Sequence, residues 1–243
     1  REGPKLRPGV TFHAVDFDSG DAALDAYPTY PMRHSMAVLD ALKRLSAEKP
    51  FDYIEFPDYN GEGYFTIRAK RTLGLFPRST LAVRLHSPGW LCRGEDRIAA
   101  LDAEYARIEH IERAAVAEAD VVVAPAESVL NRIGLEPPPF ASLEHRPEHV
   151  VLPVPINPYE LLRELGASAP AAPGGGDGAT GPTVLFFGKL QFLKGPQDFV
   201  DAAVLLLGST NARFHLIGND SDTGPFGRSM LDYLKCRIPP HHL

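Results

Sequence analysis

Cysteine is nearly missing from this chain: its 243 residues hold two, Cys92 and Cys236, far apart in sequence. That excludes a disulfide framework and a cysteine-based zinc site, and it points to a reducing, cytoplasmic home. Long apolar runs are missing too. No stretch approaches the roughly twenty residues of a membrane span, and the first residues lack the charged, apolar and small-residue order of a secretion signal. Basic charge is not in excess. With 25 Lys and Arg against 31 Asp and Glu, the formal net charge is −6, which excludes a general nucleic-acid surface. A local basic patch, and with it a peripheral place at a membrane surface, stays open. Neither GxxxxGK[ST] nor GxGxxG occurs, so a P-loop and the dinucleotide fingerprint both fall away. No segment repeats.

What is present begins with composition: 44% apolar residues are enough for one large core or two modest ones. The segment TVLFFGKLQFLKG, Thr183 to Gly195, joins an apolar strand to a glycine-bounded loop with two lysines. Thr183 to Phe187 reads as a strand covered on both faces, since it is a short continuous apolar run between Gly181-Pro182 and Gly188. Pro196 and Asp198 suit a first helical turn, and Phe199, Val200, Ala203, Val204 and Leu207 recur at helical spacing. A second strand, Arg213 to Ile217, follows and ends at Gly218. Strand, loop, helix and strand predict a βαβ unit, whose ligands bind beyond the carboxyl ends of the strands, where loop and helix N-terminus offer free backbone N–H groups. Lys189 and Lys194 could bring two cationic heads to one diphosphate. A lysine in a surface loop is by default only solvated, so the pair and not either residue alone carries this reading.

Upstream, three further strand-like runs each stop at a turn. Phe51 to Phe56 stops at Pro57, Leu81 to Leu85 at His86-Ser87-Pro88-Gly89, and Val121 to Ala124 at Pro125. Between the last two, Ile98, Leu101, Tyr105, Ile108 and Ile111 step by three and four, and Glu109 can pair with Arg113 across one turn, which predicts a long amphipathic helix. Strands alternating with helices predict an α/β fold with parallel sheets. His86 ends a buried strand and is expected to project into a crevice, although a histidine at a strand end is often a satisfied structural group. His13 ends another strand-like run from Val10 and reads as structural. In the turn Asp58 to Gly63, Asp58 and Glu62 can accept hydrogen bonds from the hydroxyls of an acceptor, with ordinary turn chemistry as the competing reading. Glu127 and Ser128 open a helix after Pro125, either beside a diphosphate or as a plain cap.

The block VLFFGKLQFLKGPQDFVDAAVLL with FHLIGND resembles the start of the C-terminal domain in group 1 (family 4) retaining glycosyltransferases. FDYIEFPDYNGEGY, LAVRLHSPGW and ADVVVAPAESV resemble the second half of that family's N-terminal domain, so the likeness covers most of the chain. The resemblance implies a GT-B fold of two Rossmann-like domains with parallel sheets. It also implies transfer of a hexose, with retention, from a nucleotide diphosphate sugar to a saccharide, lipid-linked or small-molecule acceptor. The family's loop arginine and lysine fall on Lys189 and Lys194, beside Gly188, and would hold the diphosphate; lysine in the first place keeps the charge without the forked grip of a guanidinium. His86 would hydrogen-bond the hexose. The donor would lie between the domains, and no metal or other cofactor is implied, since the lysines supply the positive charge.

Composition breaks once. Gly166 to Pro182 is GASAPAAPGGGDGATGP, without a large apolar residue, which is linker composition. The expected organisation is an N-terminal, acceptor-side domain over 1–153, a crossing segment and linker over 154–182, and the start of a nucleotide-sugar-binding domain over 183–243. Both domains are expected to be incomplete, because no strand and glycine-rich turn precede Val10 and the family's paired-glutamate motif has no match. A sugar-nucleotide-binding module without turnover and an epimerase or phosphorylase on the same fold are the rival readings.

Overall fold

A computed structural model of the protein describes residues 9–15, 26–97, 102–133, 145–154 and 181–240. The chain separates into two compact units, Arg1–Trp90 with Leu101–Pro153, and Leu91–Ala100 with Val154–Leu243. The expected crossing segment from 155 and the linker up to 180 lie outside the described residues, as do Ile98 and Leu101.

In the first unit, helix α1 (Tyr30–Glu48) starts where the Thr29 hydroxyl accepts from the Met32 amide at 3.4 Å, and it stops ahead of Pro50. Strand β1 (Tyr53–Pro57) leads through a 3-10 turn (Tyr59–Gly61) into α2 (Tyr64–Leu73), which ends on Gly74 in the left-handed conformation at φ 68°. Then come β2 (Thr80–Arg84), α3 (Gly89–Glu95), whose residues from Leu91 on belong to the second unit, α4 (Ala103–Glu118), β3 (Val121–Ala124), α5 (Glu127–Ile133) and β4 (Glu148–Val151). The four strands form one parallel sheet in the order β1-β2-β3-β4, with Ile54 opposite Leu81, Val83 opposite Val122 and Val123 opposite Val150. This is an α/β architecture compatible with a Rossmann-like fold.

Helix α2 packs against both α1 and α4. The centre of the sheet is dry. Leu81, Ala82, Val83 and Val122 have no exposure, whereas β1 alternates and keeps Tyr53 and Glu55 on its open side. There Glu55 takes a bidentate grip from Arg84 at 2.6 and 2.8 Å, which draws its carboxyl below the usual range. The long helix begins later than its apolar spacing suggests. Asp102 caps it, its Oδ1 accepting from the Glu104 and Tyr105 amides at 2.6 and 3.0 Å, and the Glu109–Arg113 pair forms at 2.8 Å. The strand-like run from Val10 makes no strand: residues 10–15 are irregular, and Val10 and Phe12 stay exposed, with no sheet neighbour to pair with among the described residues.

The second unit pairs β5 (Thr183–Phe187) and β6 (Arg213–Ile217) in parallel, Thr183 opposite Arg213 and Phe187 opposite Ile217, with helices α6 (Pro196–Leu206) and α7 (Met230–Arg237). Its core is Leu190, Val200, Met230 and Leu234, joined by Phe186, Phe192 and Leu216. Phe199 stands between Phe186 and Phe214, with ring centroids 5.7 and 6.0 Å away. The expectation that Thr183–Phe187 is covered on both faces is corrected here. Leu185, Phe187 and Ile217 remain 53%, 81% and 52% exposed, because the core forms on one side of this two-stranded sheet and nothing among the described residues covers the other. At the carboxyl ends the strands nearly touch: a Cβ on Gly218 would sit 1.7 Å from the Gly188 carbonyl oxygen. No helix among the described residues is long and apolar enough to cross a membrane.

Candidate functional site

Parallel strands deliver their loops to one edge, and each unit gathers expected residues at such an edge. In the first unit, Asp58 follows β1 and sends its amide to the Arg84 carbonyl at 3.2 Å, so its side chain turns towards the loop after β2. Its Oδ2 accepts from the His86 amide at 2.7 Å while the residue is only 2% exposed. Burial pushes this carboxyl up from its ordinary value, and the amides of His86 and Ser87 pull the other way without cancelling the shift. Asp58 thus anchors the loop that carries His86. The His86 side chain is exposed, and the Ser87 hydroxyl donates to the His86 carbonyl at 2.7 Å.

Glu62 is half-buried, in a turn that is wedged in place. Gly61 stands at φ 60°, and a Cβ there would meet Ile111 Cγ1 at 2.7 Å, so only glycine fits. The Glu62 carbonyl accepts from Ser35 Oγ at 2.8 Å, and the same Ser35 oxygen accepts from the Phe65 amide at 3.1 Å. The residue that joins the two loops escaped sequence reasoning. Glu112, on α4, is fully buried, and its Oε1 accepts from the Asn60 amide at 2.8 Å and the Gly89 amide at 3.1 Å, while Oε2 accepts from the Trp90 amide at 3.1 Å. One carboxylate thereby fixes the loop after β1 and the loop after β2, the segments that carry Asp58, Glu62 and His86. The available signal was its place four residues after Ile108 and three before Ala115, in the apolar stripe of the helix.

Glu127 and Ser128 are exposed at the start of α5. They are its first and second residues, so neither occupies the cap, and the carbonyl of Ala126 accepts from the Val129 amide at 3.1 Å.

In the second unit, Gly188, Lys189 and Lys194 share the loop from β5 to α6, which contains a 3-10 turn at Phe192–Lys194 and ends on Gly195 at φ 74°. The amides expected to be free in this loop are mostly already engaged, two of them within the loop and the rest by residues elsewhere in the unit. Gly188 donates to Ile217, Leu190 to Asn219, Lys194 to Gln191 and Gly195 to Phe192, at 2.8 to 3.1 Å. Phe192 donates to Thr223 Oγ1 at 3.0 Å, and Leu193 to Asp96 Oδ1 at 2.8 Å. In the first turn of α6, the Asp198 and Phe199 amides both return to the Gly195 carbonyl. Asp96, only 5% exposed, also accepts from Gln191 Nε2 at 2.6 Å, so an internal carboxylate occupies part of what a phosphate loop would offer. What the loop presents outward is its side chains. Lys189 and Lys194 are exposed, and among the described residues neither ammonium meets an acceptor.

A polar cavity of about 630 Å³ opens in the same unit beside Phe192, Gly195 and Gln197, with Tyr233 and Arg237 across from them; neither lysine lines it. Arg237 ties α7 to α6 through Asp201, with Nε to Oδ1 at 2.8 Å. Among the described residues no group of three or more His, Cys, Asp or Glu side chains is arranged to hold a metal ion. Compared with protein-family models and with curated proteins, the chain returns no match.

Proposed function

We propose that the protein is a GT-B type retaining glycosyltransferase that moves a hexose from a nucleotide diphosphate sugar to a hydroxyl acceptor. The observation that carries this reading is the pair of exposed cations, Lys189 and Lys194, without an acceptor among the described residues, on one glycine-bounded loop at the carboxyl end of a parallel strand. In this reading both lysines offset charge building on the departing diphosphate, without a metal, and His86 hydrogen-bonds the hexose. Because most loop amides are already used, affinity rests on the two side chains. Lys189→Ala and Lys194→Ala are each expected to weaken binding of UDP, GDP or ADP by about 1.5 kcal/mol, near tenfold, measured by calorimetry. Lys189→Arg keeps or improves it. His86→Ala is expected to lower affinity for the sugar nucleotide while sparing the bare nucleotide diphosphate. Unchanged affinity in both alanine variants overturns the assignment.

A binding module without turnover is the second reading, favoured by Asp96, whose negative charge on the Leu193 amide opposes further charge building on a phosphate nearby. Release of free nucleotide on incubation with a panel of sugar nucleotides separates the two.

A further inference from the structure

We propose that the first unit carries a separate site for a small amphipathic anion, an aliphatic chain ending in one acidic group, at the edge of the sheet opposite Asp58 and His86. The site is a cavity of about 280 Å³ with walls of Ala47, Pro50, Leu75 and Phe76, and with Lys43 and Arg78 in its lining. Its volume lies just below the usual range for drug-sized ligands, which suits a short chain. It is independent of the reading given to Lys189 and Lys194.

The walls are built and not incidental. Gly74 closes α2, its amide reaching Lys70 O at 3.2 Å while the Leu75 amide reaches Ala69 O at 3.3 Å. At the other end, Ser79 Oγ donates to the Phe51 carbonyl at 2.6 Å, Lys70 Nζ to the Ser79 carbonyl at 2.6 Å, and the Thr80 amide to Asp52 O at 2.8 Å. The segment between is therefore fixed at both ends. Within it Phe76 stands at φ 53°, a left-handed conformation costly for an aromatic residue, and the residue is only 7% exposed. The strain is held by these neighbours and keeps an apolar wall in place.

Charge selects the occupant. The chain carries a formal −6, yet both charged residues lining this cavity are cationic. Arg78 is exposed and has no ion-pair partner among the described residues. Lys43 meets Asp40 at 3.0 Å, with both side chains well exposed, so that pair is weak and exchangeable. Apolar walls with a cationic rim match an aliphatic carboxylate better than a neutral lipid or a bare inorganic anion.

The test titrates the full chain with octanoate below its micellar concentration, with octanol and with acetate, followed by amide chemical shifts. Octanoate is expected to bind saturably and move the amides of Ala47, Leu75, Phe76, Arg78 and Ser79, with octanol about fivefold weaker and acetate silent. Arg78→Gln, at an exposed position, should bring octanoate down towards octanol and leave octanol unchanged. Octanoate affinity equal in both proteins, or shifts confined to other residues, overturns the site. Sedimentation with phosphatidylglycerol vesicles that Arg78→Gln abolishes, with octanoate silent at Leu75–Ser79, overturns it in favour of a bilayer surface.

Discussion

Removing the Glu112 carboxylate would leave the amides of Asn60, Gly89 and Trp90 without that acceptor in the interior of the first unit. Glu112→Ala is therefore expected to destabilise this unit by about 3 kcal/mol, read as a lower midpoint in urea. Two other carboxylates give stability opposite dependences on pH. Asp58 is raised above 3.8 by burial, so the folded protein holds this proton to higher pH than the unfolded chain. Its contribution is present at low pH and is lost as pH rises from 3.8 through its folded value. Asp120 behaves in reverse. Partial burial alone would raise it, but the Leu81 amide at 2.7 Å and Lys70 at 2.6 Å, helped by Arg71, outweigh this and hold it below 3.8. Its stabilisation is complete above 3.8 and falls away as pH drops through the folded value. Thermal melts against pH should accordingly lose the decline as pH rises above 3.8 in Asp58→Asn and the decline as pH falls below 3.8 in Asp120→Asn.

Among the elements, the joint between β5 and β6 is the least tolerant. A methyl group at Gly218 would lie 1.7 Å from the Gly188 oxygen, so Gly218→Ala must part the strand ends and with them the bond from the Gly188 amide to Ile217. Fast amide exchange across Val184–Phe187 in that variant, against slow exchange in the parent, is the expected result. The elements most legible in sequence were those whose apolar runs are framed by breakers: Val121–Ala124 between Asp120 and Pro125, and Arg213–Ile217 before Gly218. Helix α1 had a readable start in Thr29 with Pro31, but its face mixes Ser35 and Ala37 with Val38 and Leu39, which blurs the period. Strand β4 was hidden because EHVV alternates with nothing and stays exposed. Of the candidate site, the loop positions of His86, Lys189 and Lys194 were legible from strand ends alone. That Asp58 turns inward and that Asp96 sits on the Leu193 amide were not, since both contacts join residues distant in sequence.

At the scale of the whole chain the two units differ in kind. Among the described residues, the first has a four-stranded sheet whose middle strands are dry, and the second has two strands with a core on one side. The α/β alternation was legible because strand and helix periods differ, but coverage was not: TVLFF reads as a strand buried on both faces whether or not anything lies across it. That face of Leu185, Phe187 and Ile217, uncovered among the described residues, has a calorimetric meaning. The heat-capacity increment of unfolding comes from apolar surface that is dry when folded and wet when unfolded. Side chains already hydrated in the native state add little to it. The second unit's stability curve should thus be drawn almost wholly by the α6 and α7 side of its sheet, and be flatter with temperature than its apolar composition alone would suggest.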